Sequence, residues 1–397
     1  MLNNKKSFVS KTLIILALAH FINDLSQGAI PVLLPIFKEA FALTYTQVGV
    51  IVFMMNFTSS IIQPLFGYFA DKKDNLRIII LGMFSAGVGL SLIGLMSNYY
   101  SLLFMVFLSG IGVAAFHPQA MKVANFISNP TARGRSMSIF SIGGNAGVAV
   151  GSLSAAYLYN LSGSFYSTLW YLVPTIIATA VLYYTLKNIA SFMPKPAESS
   201  QSALVQPQPW KISELNYKFI AILLVFIFNR ATIQTGLVTY IPLYCVSYLG
   251  GDHVFASYLL SAFLFTGTFG TFLGAAMSDN FGRKTVITGS MLGALPLIFL
   301  FPYTSGIVAM VVVALTGVTL KASTATTVVF AQEMMPHNVG MASALTVGFT
   351  IGMGGLGALL LGTVADHFGM MAVFNILAIL PGVGAGLAAL LPSQQAE

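Results

Sequence analysis

Apolar residues fall into long unbroken runs along this chain, and the polar residues between them are few and clustered. A hydrocarbon core of ~30 Å needs roughly 20 apolar residues of helix to cross it, and a chain in lipid must satisfy its backbone groups internally, so such runs predict helices. Twelve runs meet that length: 12–35, 46–69, 78–97, 101–124, 136–160, 165–188, 217–246, 255–277, 285–303, 306–330, 338–364 and 369–391. The gaps are short except one. Residues 189–216 carry Pro194, Pro196, Pro207, Pro209 and the run from Glu198 to Ser202, the composition of a polar linker. The predicted organisation is a six-helix bundle over 1–188, a linker over 189–216 and a second six-helix bundle over 217–397. The fold class is an all-α membrane protein with twelve transmembrane helices.

Charge sets the orientation. Of 397 residues only 18 are Lys or Arg and 11 are Asp or Glu. Soluble domains run near ~25% charged, so a soluble enzyme, a nucleic-acid binder and a disordered chain are excluded. With the N-terminus in the cytoplasm, 15 of the 18 basic residues lie on or near the cytoplasmic side; Lys38 lies outside, and Arg230 and Lys321 lie within spans. Short basic loops stay on the cytoplasmic side, so both termini are expected there. The net charge of +7 is then a topology signal facing anionic lipid. The single cysteine, Cys245, allows no internal disulfide. The first apolar run is too long for a signal-peptide core and is read as a span that stays.

The halves repeat at an offset of 206–208 residues. Asn23-Asp24 meets Asn229-Arg230, Pro35 meets Pro242, Asp71 meets Asp279 and Gly134 meets Gly340. Two parallel six-helix repeats predict a transporter with its site at the repeat interface near the midplane.

The loop Gly67-Tyr68-Phe69-Ala70-Asp71-Lys72-Lys73-Asp74-Asn75-Leu76-Arg77 resembles the loop between spans 2 and 3 of the major facilitator superfamily. Asp279-Asn280-Phe281-Gly282-Arg283-Lys284 is the clearer copy; the first has Asp74 where Gly is usual. His20-Phe21-Ile22-Asn23-Asp24, Gln27 to Pro31, Asn56 to Ser60, Gln63 to Gly67 and Phe116 to Ala120 resemble strings of the fosmidomycin resistance protein group. The resemblance implies two pseudo-symmetric bundles, spans 1, 4, 7 and 10 lining a central cavity, and a multi-pass place in a bacterial inner membrane as a monomer. It also implies that Gly67, Asp71, Lys72, Arg77, Asp279, Arg283 and Glu333 brace a cytoplasmic gate.

Ionisable groups inside spans cost ~2.5 kcal/mol or more each. Asp24, His117, Arg230 and Lys321 are such groups, one on each implied cavity helix. Asp24 is about 18 Å along its span at 1.5 Å per residue. His20 lies nearer the cytoplasmic end. Asp24 and His117 are the proton-coupling candidates. Asn23, Gln27, His117, Asn145, Asn229, Arg230 and Lys321 are the substrate-binding candidates. Blander readings stand beside these: an Asp24–Arg230 ion pair joining the halves, a His117 ring bonded to a carbonyl freed by Pro118, a Lys321 that snorkels. A cavity with one acid and two bases favours an anion, and Arg230 can grip phosphonate, phosphate or carboxylate through paired donors.

Gly143, Gly147 and Gly151 in span 5 and Gly348 and Gly352 in span 11 stand four apart, a spacing that lets helices approach closely. Span 5 resembles the glycine-rich antiporter signature but has no Pro in it. The expected function is proton-coupled efflux, by alternating access, of a small anionic drug-like compound such as the phosphonate antibiotic fosmidomycin. The alternative is proton-coupled uptake of a small organic anion. There is no His-Glu-x-x-His, Gly-x-Ser-x-Gly or phosphate-loop motif, so no enzyme, cofactor or metal is expected, and the partners are the anion, protons and lipid.

Overall fold

The computed structural model describes residues 2–72, 76–128, 133–189, 217–335, 342 and 344–392. The linker from 190 onward, the loop residues 73–75, Gly340 and the side chains of Asp71 and Lys72 lie outside the described residues. Among the described residues, twelve helical stretches are long and apolar enough to cross a membrane, and each meets one predicted span.

In chain order the helices are α1 (Leu2–Ala40), α2 (Tyr45–Ile61), α3 (Gln63–Lys72), α4 (Arg77–Leu92), α5 (Tyr99–Ile127), α6 (Arg133–Ser162) and α7 (Leu172–Ile189). There follow α8 (Tyr217–Tyr248), α9 (His253–Phe281), α10 (Arg283–Leu300), α11 (Gly306–Met334), α12 (Phe349–Phe368) and α13 (Met370–Leu390). Span 2 differs from its expected single helix. It breaks at Ile62 between α2 and α3, because Pro64 has no N–H to donate and its ring crowds the preceding turn. Span 1 differs the other way: α1 runs through Pro31 and Pro35 to Ala40, since neighbouring groups in a bundle can satisfy the backbone that a proline frees. Span 11 opens with a π-helical turn, Ala344–Gly348.

The chain packs as two compact units. One is Met1–Leu33 with Phe57–Pro207; the other is Leu34–Asn56 with Gln208–Glu397. In the first unit, Leu13, Leu16 and Ala19 of α1 join Ile79 and Met83 of α4, Phe116 and Ala120 of α5, Phe140 of α6 and Leu182 of α7 in one buried cluster. The outer faces keep large apolar side chains exposed, among them Tyr184, Ile177, Phe272 and Phe299, as helices facing lipid do.

Glycine sets the closest approaches. A Cβ on Gly143, Gly147 or Gly151 of α6 would sit 2.2 Å from the carbonyl oxygen of Ala17, Phe21 or Leu25 of α1 respectively. The stripe read from the sequence is thus a seam in which backbone meets backbone. The expectation for Gly348 does not hold, as it has nothing within 4 Å. Tight positions of α12 include Gly354 and Gly357, pressed against Thr235 and Thr232 of α8, and Gly362, pressed against the Tyr45 carbonyl.

Candidate functional site

In the first unit the seam brings α1, α5 and α6 together around three polar side chains. His20 and Asp24 are one helical turn apart on α1 and so share a face. His20 Nε2 lies 3.2 Å from Asp24 Oδ2. His117 Nε2, from α5, lies 3.4 Å from Asp24 Oδ1 and 3.1 Å from His20 Nε2. His20 donates from Nδ1 to the Phe140 carbonyl at 2.9 Å, and its ring stacks on Phe140 with centroids 4.3 Å apart. His117 donates from Nδ1 to the Val113 carbonyl at 2.8 Å. Pro118 frees the carbonyl of Ala114, one residue further on, so the reading that His117 takes the carbonyl freed by proline does not hold. Asn23 Nδ2 donates to Asp24 Oδ1 at 2.9 Å. Its own Oδ1 is buried with no partner.

Gly144 of α6 closes this cluster. A Cβ there would lie 2.4 Å from His20 Nε2 and 2.9 Å from Asp24 Oδ2. Asp24 and His20 are 6% and 7% exposed, so the cluster sits away from bulk water and each charge in it needs a partner.

The second unit holds the two bases. Arg230 on α8 is 2% exposed. One guanidinium nitrogen donates to Thr324 Oγ1 of α11 at 3.0 Å, and Nε has no partner. Lys321 on α11 is half-buried, one helical turn before Thr324. Its stem passes so close to Gly267 of α9 that a Cβ there would be 2.8 Å from Lys321 Cγ. Asn229, beside Arg230, is 5% exposed and its Oδ1 is buried without a partner. Among the described residues neither base takes a carboxylate. A paired-donor guanidinium with one orphaned N–H, a lysine point charge and a carboxamide make a set that suits an anion.

The remaining candidates are more dispersed. Gln27 is half-buried and Asn145 exposed. At the turn between α9 and α10, Gly282 has φ +84°, a conformation that favours glycine, which explains why that loop copy keeps it. Arg283 pairs there with Asp279, with Glu333 at 3.3 Å and with Ser278 Oγ at 2.7 Å, so the end of α11 is tied to the α9–α10 turn. Gly67 is in ordinary contact with Pro118, and Arg77 is exposed at the start of α4.

Two residues escaped the sequence reading. His20 enters the sequence reading only as a group nearer the cytoplasmic end, although its i,i+4 spacing to Asp24 is a usable signal. Asp366, at the end of α12, accepts from the backbone N–H groups of Tyr45 and Thr46 at 2.7 and 2.8 Å and from Thr46 Oγ1 at 2.6 Å. It thereby caps α2 from a position 320 residues away.

Comparison with known proteins agrees with this architecture. Residues 16–345 and 247–396 match the Major Facilitator Superfamily profile. The MFS-type transporter YfnC of Bacillus subtilis (strain 168) is 33% identical over 383 residues, 96% of this chain and 93% of YfnC. The fosmidomycin resistance protein of Escherichia coli (strain K12) is 32% identical over 369 residues, 93% of this chain and 90% of that one. Two solved structures share the fold at low identity. A nucleoside transporter NupG variant gives a TM-score of 0.77 at 14% identity, covering 96% of this chain and 99% of NupG. A bacterial homologue of the lysosomal transporter Spinster gives 0.76 at 16%, covering 96% of each chain. The chain is therefore a multi-pass membrane transporter and belongs to the Major Facilitator Superfamily.

Proposed function

We propose that the protein exports a small anionic, drug-like compound, of which fosmidomycin is the model, in exchange for protons by alternating access. The bases of the second unit bind the anion, and the cluster built on Asp24 and His117 takes the proton. The single observation that carries this reading is the buried guanidinium of Arg230, bonded to Thr324 one helical turn from the half-buried Lys321, with no carboxylate on either base among the described residues. Leaving two such charges uncompensated is costly, and a phosphonate or carboxylate supplies what they lack. The relation to a fosmidomycin resistance protein supports the direction and the substrate class. The basic loops support placing both termini in the cytoplasm, with the protein in the inner membrane.

Drug susceptibility tests the direction. Cells deleted for the gene become more sensitive to fosmidomycin, and the wild-type gene restores tolerance while the Arg230→Gln form does not. Unchanged susceptibility on deletion, together with reduced accumulation of an organic anion, would favour uptake. Counterflow in proteoliposomes separates a carrier from a receptor, since only a carrier exchanges labelled for unlabelled solute.

A further inference from the structure

We infer that the coupled proton is held between His20 and His117, shared by their Nε2 atoms, and that the cluster carries one proton and no more. This deepens the reading above and rests on it.

The argument counts hydrogens. A carbonyl oxygen only accepts. The Phe140 and Val113 carbonyls therefore fix a hydrogen on Nδ1 of His20 and of His117. A neutral imidazole has one N–H, so both Nε2 atoms are bare when both rings are neutral. They face each other at 3.1 Å, a hydrogen-bond distance at which two lone pairs repel. A proton placed on Asp24 can be donated to one Nε2 only and leaves the other bare beside it. Two added protons, one on each ring, can each be accepted by an Asp24 oxygen, but they set two N–H groups 3.1 Å apart and leave a net positive charge in a site shut off from water, which is costly. One added proton on one ring makes an N–H···N bond and satisfies both. Asp24 then balances the charge, straddling the pair with Oδ2 on His20 and Oδ1 on His117.

The surroundings hold this arrangement. The groups facing the pair are Asp24 and Asn23 from α1, the Phe116 ring and Val113 carbonyl from α5, and the Phe140 ring and carbonyl with Gly144 from α6. Loss of the proton restores the lone-pair clash and pushes the rings apart, which moves α1 relative to α5. Proton release is thereby converted into helix displacement. His20, absent from the sequence-level candidates, becomes half of the proton site.

The direct test is nuclear magnetic resonance on the full chain with ¹⁵N-labelled histidine. The sequence has five histidines. One Nε2–Nε2 scalar coupling across a hydrogen bond is expected in the wild type at neutral pH and is lost in His117→Gln. A wild-type spectrum without that coupling overturns the inference. So does stoichiometric zinc or another divalent metal in the purified protein, because two imidazoles and a carboxylate also suit such an ion.

Transport gives the second measurement, with fosmidomycin as probe. His20→Gln should lose accumulation driven by a pH gradient and keep counterflow. If His20→Gln still accumulates the probe while Asp24→Asn does not, the proton sits on the carboxylate; proton coupling survives and this inference fails. If the wild type shows counterflow but no response to a pH gradient, the proton-coupled reading itself fails and takes this inference with it.

Discussion

Arg230 keeps its guanidinium almost wholly out of water with one hydroxyl for company. Its value lies in the planar fork of donors, which a lysine cannot reproduce. Arg230→Lys is expected to weaken fosmidomycin binding by about tenfold, or ~1.4 kcal/mol, measured by the half-saturation of counterflow. An unchanged affinity would show that only charge matters there. On the other side, Gly144→Ala puts a methyl group 2.4 Å from His20 Nε2, so one of the two must move. Gradient-driven accumulation should fall, with counterflow retained. Retention of both would mean the imidazole pair has room to spare. Asp24, His117, Arg230 and Lys321 were legible in the sequence for one reason: charge inside an apolar run is costly and is kept only for use. The partners each one takes were not legible. Phe140 follows His20 by 120 residues, and Thr324 follows Arg230 by 94; no local pattern encodes such distances.

At the scale of the helix, backbone contact decides more than side-chain interlock. Gly147→Ala would place a methyl group 2.2 Å from the Phe21 carbonyl oxygen, and overpacking of this kind costs ~1–3 kcal/mol. Gly386→Ala, where a Cβ meets nothing within 4 Å, is the control. Thermal unfolding in detergent should show a lowered midpoint for the first and none for the second. Asp366→Ala removes three hydrogen bonds from the start of α2, and losing a helix cap costs ~0.5–2 kcal/mol. Amide exchange at Tyr45 and Thr46 should quicken while the interior of α2 is unaffected. All twelve spans were legible because length and hydrophobicity alone set them. The break at Ile62 was not, since Pro64 ends a helix while Pro35 does not; the neighbours that rescue a proline are invisible from its own segment.

At the scale of the molecule, four anchors at offsets of 206–208 residues made the repeat legible in the sequence, whereas the packing of Leu34–Asn56 with the C-terminal half of the sequence was not legible. Orientation has a clean test because Cys245, the lone cysteine, is fully buried. In a Cys245→Ser background, Tyr100→Cys should react with an impermeant maleimide added to intact cells. Phe281→Cys should react only after permeabilisation. Both positions are well exposed, at 80% and 64%, so the reverse pattern would place the termini outside. The glycine seam between α1 and α6 carries a genetic consequence. Every amino-acid change at a glycine codon adds at least one heavy atom, and at Gly143, Gly147 and Gly151 that atom meets a main-chain oxygen with nowhere to go. Saturation mutagenesis of this segment should therefore trace a wave of intolerance with a period of four codons, its troughs falling on residues that bind nothing.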